Sequence, residues 1–240
     1  MSDLQPFAEP PADTHPPLDF PAYRSTATRH PSQPLVRLPR GLTDPTDLTG
    51  PVFGVGDVTA EDADLTLGPQ GAAVGQRIIV TGRLLDGDGR PIARSLVEIW
   101  QANASGRYRH AGDQSPGTLD PNFTGGGRAL TDDDGTYRFT TIRPGAYPWG
   151  NHPNAWRPAH IHVSVFGRAF TQRLVTQMYF PDDPLFFQDP ILAAVPAAAR
   201  PRLVAAYDHD VTQPEWALGF RWDIVVRGAA RTPFEEPPGG

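Results

Sequence analysis

From Gln76 onward, apolar runs of strand length alternate with clusters of Gly, Asp and Pro. The runs RIIVTGRLL (77–85), RSLVEIWQA (94–102), AHIHVSVFG (159–167), RLVTQMYF (173–180) and GFRWDIVVRG (219–228) each predict a strand. RALTDDDGTYRFTTI (128–142) reads as two short strands around an Asp-Gly turn, and DGDGR after residue 85 is a second such turn, a strong hairpin signal. Roughly seven strands separated by turns predict an all-β chain folded as an antiparallel β-sandwich. The one helical candidate is short, AAARPRLVAAY (197–207).

Two connections are too long for hairpins, 103–127 and 143–158, and both are rich in aromatics, Arg and His. Long loops in a compact domain are disproportionately functional. Residues 1–50 carry ten prolines and little periodicity, so this part buries little apolar surface on its own. The first 15 or so residues read as a tail. Phe20, Tyr23, Leu35, Val36 and Leu38 then punctuate the prolines and predict an extended arm laid across a partner or the domain body. The chain therefore divides into an N-terminal arm and extended segment (1–72), with alternation in DLTLG, and a β-sandwich domain (73–240).

Composition narrows the chemistry. The 240 residues contain no cysteine, which removes disulfides, thiolate metal sites and cysteine nucleophiles together. A net charge of −6 without a basic run disfavours nucleic acid and anionic membranes. The N-terminus lacks a basic, apolar leader pattern and no apolar run reaches spanning length, so a soluble cytoplasmic protein is expected.

The stretch Gly145 to His162, GAYPWGNHPNAWRPAHIH, concentrates the chemistry. Side chains two apart in a strand share a face, so His160 and His162 project together while Ile161 faces away. An HxH pair alone is either two metal ligands or one core and one exposed histidine. The DHD cluster at 208–210 reads as solvated surface or a cap and is set aside. Two tyrosines in the long loops, Tyr108 and Tyr147, change the balance. Phenolate is a hard anionic donor with a reference pKa of about 10, and a strongly charged cation such as Fe³⁺ holds it deprotonated. Two Tyr and two His select ferric iron over zinc. Fe³⁺ with two phenolates carries one positive charge, which one hydroxide cancels. A catecholate replacing that hydroxide and one phenolate leaves the sum at zero, so an ortho-diol suits the site.

With LVEIWQAN, GRYRH, GAYPW and NAWRPAHIHVSV quoted together, the chain resembles the intradiol ring-cleaving dioxygenases, from about Pro21 through Arg227. The resemblance implies Tyr108, Tyr147, His160 and His162 as ligands of one non-haem Fe(III), with Tyr147 and His162 axial and Tyr147 leaving when substrate binds. It implies Arg157 beside the substrate ring, where a fixed cation stabilises developing negative charge. It assigns Gln177, Trp100, Trp149, Ile191 and, from the arm, Tyr23 to the substrate pocket. Trp100 and Ile191 are equally explained by core packing. The reaction implied is insertion of both atoms of O₂ into protocatechuate (3,4-dihydroxybenzoate), opening the ring between its hydroxylated carbons to 3-carboxy-cis,cis-muconate. Relatives acting on catechol or hydroxyquinol carry a helical N-terminal region that the proline-rich arm lacks. Protocatechuate-cleaving members pair the iron chain with a related non-metal α chain in an (αβ)ₙ oligomer, with the arm 16–50 expected on that partner. VTGRLLDGDGRPIARSLVEIW also resembles transthyretin-like binding modules, which have no use for two tyrosines and HxH in long loops.

Overall fold

The computed structural model describes residues 20–22, 58–151, 153, 156–167, 170–181 and 183–234. Two sheets carry the fold. One is built from β4 (Leu96–Trp100), β5 (Gly126–Leu130), β9 (His160–Gly167) and β10 (Phe170–Tyr179), in the order β10-β9-β4-β5 and antiparallel throughout. The other centres on β3 (Arg77–Leu85), with β6 (Thr136–Ile142) antiparallel to it. β12 (Leu218–Arg221) and β13 (Ile224–Val225) run parallel to β3, and β11 (Ala206–Tyr207) pairs antiparallel with β12. Two small ribbons complete the set: β1 (Leu67–Gly68) with β2 (Gly71–Ala72), and β7 (Tyr147–Pro148) with β8 (Trp156–Arg157).

The core lies between the two large sheets. Val97, Ile99, Ile161, Val163, Val165 and Met178 from one sheet meet Ile78, Val80, Leu84, Phe139, Phe220 and Ile224 from the other. Burying each such side chain contributes about 1.5–3 kcal/mol. A one-residue slip of β9 would send its isoleucine and valines to the opposite face and its histidines into the core. The apolar row of β9 therefore sets the direction in which His160 and His162 point. Its register also aligns them with their neighbours. Trp100 on β4 and Gln177 on β10 flank His162, and Tyr179 on β10 stands opposite His160.

The all-β sandwich is as expected, but three local readings are corrected. The two Asp-Gly turns are not hairpins between paired neighbours. β3 and β4 lie in different sheets, as do β5 and β6, so each turn carries the chain across the sandwich. The helix falls at α1 (Pro190–Ala194), capped by Asp189 and begun by Pro190 at its first position. At 197–207 there is a single 3-10 turn over Arg200–Leu203 and then β11, with Pro201 unable to donate within a helix. The run 219–228 is broken between β12 and β13. There the Trp222 carbonyl accepts a hydrogen bond from Tyr137 Oη at 2.5 Å, and Gly82 approaches so closely that a Cβ would overlap that carbonyl.

The described part of the N-terminal segment is fastened to the sandwich: Leu65 is fully buried, its N–H donates to Thr140, and Asp64 bridges Thr140. Tyr23 and, apart from residues 20–22, the rest of the arm 16–50 lie outside the described residues. Among the described residues no helix is long and apolar enough to cross a membrane.

Candidate metal centre

The site is built on the outer face of the four-stranded sheet and roofed by the two long loops. Those loops are tied together at their roots. Gln101, just past β4, donates from Nε2 to the Ile142 carbonyl at the end of β6 and accepts from Thr141 Oγ1. Asn103 closes the next turn: its side-chain oxygen accepts from the Ser105 and Arg107 N–H groups, and its carbonyl accepts from Gly106 and Gly145. Gly145 thus joins the second loop to the first. Gly106 sits at φ +74°, and a Cβ there would collide with the Ala146 carbonyl. Two glycines let the tyrosine-bearing segments touch. Asp113 finishes the first loop by accepting from the Tyr108 and Ser115 N–H groups at 2.6 Å each.

Four donor atoms converge under this roof. Tyr108 Oη lies 3.1 Å from His162 Nε2 and 3.4 Å from His160 Nε2, and Tyr147 Oη lies 3.4 Å from His160 Nε2. Ligands about 2.1 Å from one metal ion stand roughly 3.0 Å apart at right angles and roughly 3.4 Å apart in a tetrahedral arrangement. The spacing fits a shared ion. Among the described residues no group of three or more His, Cys, Asp or Glu forms a competing site.

The surroundings prepare these atoms. His160 Nδ1–H donates to the Pro158 carbonyl at 2.7 Å, which leaves the Nε2 lone pair facing the centre. Burial, with the nearby Arg157 charge, holds the His160 pKa well below its usual 6.5 and the ring neutral. Trp100 stacks on His162 at a centroid distance of 5.0 Å and an interplanar angle of 4°. Burial, reinforced by Tyr147, raises the Tyr108 pKa well above 10. Its phenol keeps its proton unless a multivalent cation supplies the missing charge.

Arg157, opposite Tyr147 in the β7–β8 ribbon, is 2% exposed. Its Nη1 lies 3.0 Å from His160 Nε2 and 3.4 Å from Tyr147 Oη. Burial would lower its pKa, but Asp189, fully buried at 2.7 Å from Nη2, prevails and raises it well above the usual guanidinium value. The guanidinium is a permanent charge.

The other expected pocket residues separate into groups. Trp149 lies over Arg157 at 5.4 Å and lines the cleft with Trp100, Tyr108, Tyr147 and His162. Gln177 is buried behind Arg157 and accepts from Nη2 at 2.6 Å. Ile191 is half-buried in α1, its N–H donating to Asp189, and is not part of the cleft wall. Asp208 forms an exposed pair with Arg221 and caps the turn at 210–211, far in role from a ligand.

Sequence reasoning missed Asp189 and Tyr179. Asp189-Pro190 is a helix-start signal, and Tyr179 shares the strand parity of Gln177. Neither signal points to Arg157, because the link runs across three elements.

Comparison with known proteins gives the family. A family model described as "Dioxygenase" matches residues 48–228, and one described as "Protocatechuate 3,4-dioxygenase beta subunit N terminal" matches 7–40. The chain belongs to the intradiol ring-cleaving dioxygenases. It is 53% identical to the protocatechuate 3,4-dioxygenase beta chain of Burkholderia cepacia over 92% of this chain and 94% of the relative. It is 31% identical to the alpha chain from the same organism, over 68% of this chain and 78% of that one. Among solved structures, 3-chlorocatechol 1,2-dioxygenase from Rhodococcus opacus 1CP superposes with a TM-score of 0.54 at 26% identity, covering 70% of this chain and 65% of that one.

Proposed function

We propose that the chain is the iron-binding subunit of a protocatechuate 3,4-dioxygenase. Convergence of two phenol oxygens and two imidazole nitrogens at 3.1–3.4 Å carries this reading. Dependence on iron is general in the family, and the donor set suits one ferric ion per chain held by Tyr108, Tyr147, His160 and His162. Bound there, iron supplies the Lewis acidity that draws electron density from a chelated diol and makes its ring reactive to O₂.

The chain's own residues supply the rest. On binding, the two protons of the ortho-diol would go to the phenolate of Tyr147, whose Oη is on the cleft wall, and to the hydroxide that balances the site's charge, which would leave as water. The Pro158 carbonyl holds His160 in the tautomer that keeps Nε2 available. Arg157 holds a positive charge against the oxygens of the diol, where electron density rises as the ring reacts. Both oxygen atoms of O₂ enter the product, 3-carboxy-cis,cis-muconate.

The cleft measures about 1000 Å³, much more than one dihydroxybenzoate fills and at the upper end of the roughly 300–1,000 Å³ usual for small-molecule sites. A related non-metal α chain closing it in an (αβ)ₙ oligomer accounts for the excess, and the alpha-chain relatives support that pairing. In such an oligomer the segment 1–72, Tyr23 included, makes subunit contacts, and residues 73–240 form the catalytic domain. The test is oxygen uptake on protocatechuate and on catechol by the co-purified chains. A wine-red protein with at least tenfold preference for protocatechuate is expected. A colourless protein without uptake overturns the reading.

A further inference from the structure

Asp189 closes a hydrogen-bond frame around Arg157. Its Oδ2 accepts from Arg157 Nη2 at 2.7 Å and from Tyr179 Oη at 2.8 Å. Its Oδ1 accepts from Arg157 Nε at 3.3 Å and from the Ile191 N–H at 3.0 Å. The same carboxylate thus starts α1 and grips one edge of the guanidinium. Gln177 Oε1 accepts from Nη2 at 2.6 Å, and Tyr179 Oη also lies 3.1 Å from Nη2.

A guanidinium has five N–H groups in a rigid plane. Asp189 and Gln177 engage the one on Nε and both on Nη2. Only Nη1 remains, and it is turned toward His160 Nε2 and Tyr147 Oη. A metal ion bound at Nε2 takes the lone pair that Nη1 now contacts. The Nη1 donors are then left for Tyr147 Oη and for a negatively charged oxygen of the bound diol. Rotation of the guanidinium would redirect them, and the frame opposes it from the far edge.

We propose that Asp189 is the positioning residue for Arg157, with Tyr179 as its second anchor, and that the pair aims Nη1 at the reacting diol. Asp189 touches neither substrate nor metal in this scheme and acts through Arg157 alone. The inference rests on the ferric-site reading above, and its test separates the two.

The full chain, co-purified with its related chain and loaded with ferric iron, is compared as wild type, Asp189→Asn, Tyr179→Phe, Arg157→Gln and the double variant Asp189→Asn/Arg157→Gln. Asp189→Asn should keep its iron content and the position of its visible phenolate band. Its kcat should fall about 100-fold while KM shifts less than threefold. Tyr179→Phe, which leaves the ion pair in place, should lose about fivefold in kcat and covers the case in which Asp189→Asn does not fold. The double variant should be no slower than Arg157→Gln, because a residue acting only through Arg157 has nothing left to position. A further loss in the double variant, a bleached but folded Asp189→Asn protein, or wild-type kcat in Tyr179→Phe would each overturn the proposal. A wild-type protein that binds no ferric iron would instead overturn the functional reading.

Discussion

Trp100 stands directly opposite His162 across the β4–β9 ladder, and their rings stack at 5.0 Å with only 4° between planes. Pleat and register deliver this contact, since directly opposed residues on one face have adjacent Cβ atoms. The indole holds the imidazole upright beneath Tyr108. Trp100→Ala should therefore speed iron release about tenfold while Trp100→Phe stays near wild type, by analogy with other residues that orient ligands from behind. Chelator-challenge kinetics read this directly, and equal release rates would remove the role assigned to the stack.

The ligand assignment has its own test. His160→Ala should purify with little iron and no colour. Tyr108→Phe, if it retains metal, should keep only the weaker, shifted band of the remaining Tyr147 phenolate and lose most activity. Metal analysis with visible spectroscopy decides it, and a coloured, fully active His160→Ala protein would sink the assignment.

Arg157 should matter to turnover more than to metal. Arg157→Gln should lower kcat by about 10²–10³-fold, the scale for removing one aimed transition-state donor, with iron content unchanged. Steady-state oxygen uptake together with metal analysis separates this from loss of the centre.

Iron-free protein should show a pH signature from His160, whose folded pKa lies well below 6.5 because the ring is buried beside Arg157. Between those two values the unfolded chain binds a proton that the folded chain refuses. The contribution is complete above about pH 6.5 and is lost as pH falls toward the folded pKa, at up to about 1.4 kcal/mol per pH unit. Urea unfolding of wild type and His160→Gln at pH 7.5, 6.5 and 5.5 isolates it. Parallel stability curves would contradict the burial argument.

Gly106 links backbone geometry to the centre. Its φ of +74° and its approach to the Ala146 carbonyl leave no room for a side chain. Gly106→Ala should push the Tyr108 and Tyr147 segments apart and lower iron occupancy several-fold, with a destabilisation of about 1–3 kcal/mol. A variant with full occupancy and wild-type thermal stability would show that the loops tolerate separation.

Alternation alone determined much of this protein. The period-two pattern of AHIHVSVF placed Ile161, Val163 and Val165 inward and both histidines outward, and the structure keeps that division. Residue chemistry in the two long loops pointed to a hard trivalent ion, because phenol and imidazole are informative wherever they lie. Pairing was less legible. An Asp-Gly turn reverses the chain equally well within a sheet or between sheets, so DGDGR and DDDG could not reveal that they cross the sandwich.

The surroundings of Arg157 were decided by tertiary structure alone. Arg157 on β8, the Gln177 and Tyr179 pair on β10, and Asp189 before α1 share no motif that links the three segments. They meet because two sheet strands and a capped helix close around a charge that burial obliges to find a partner.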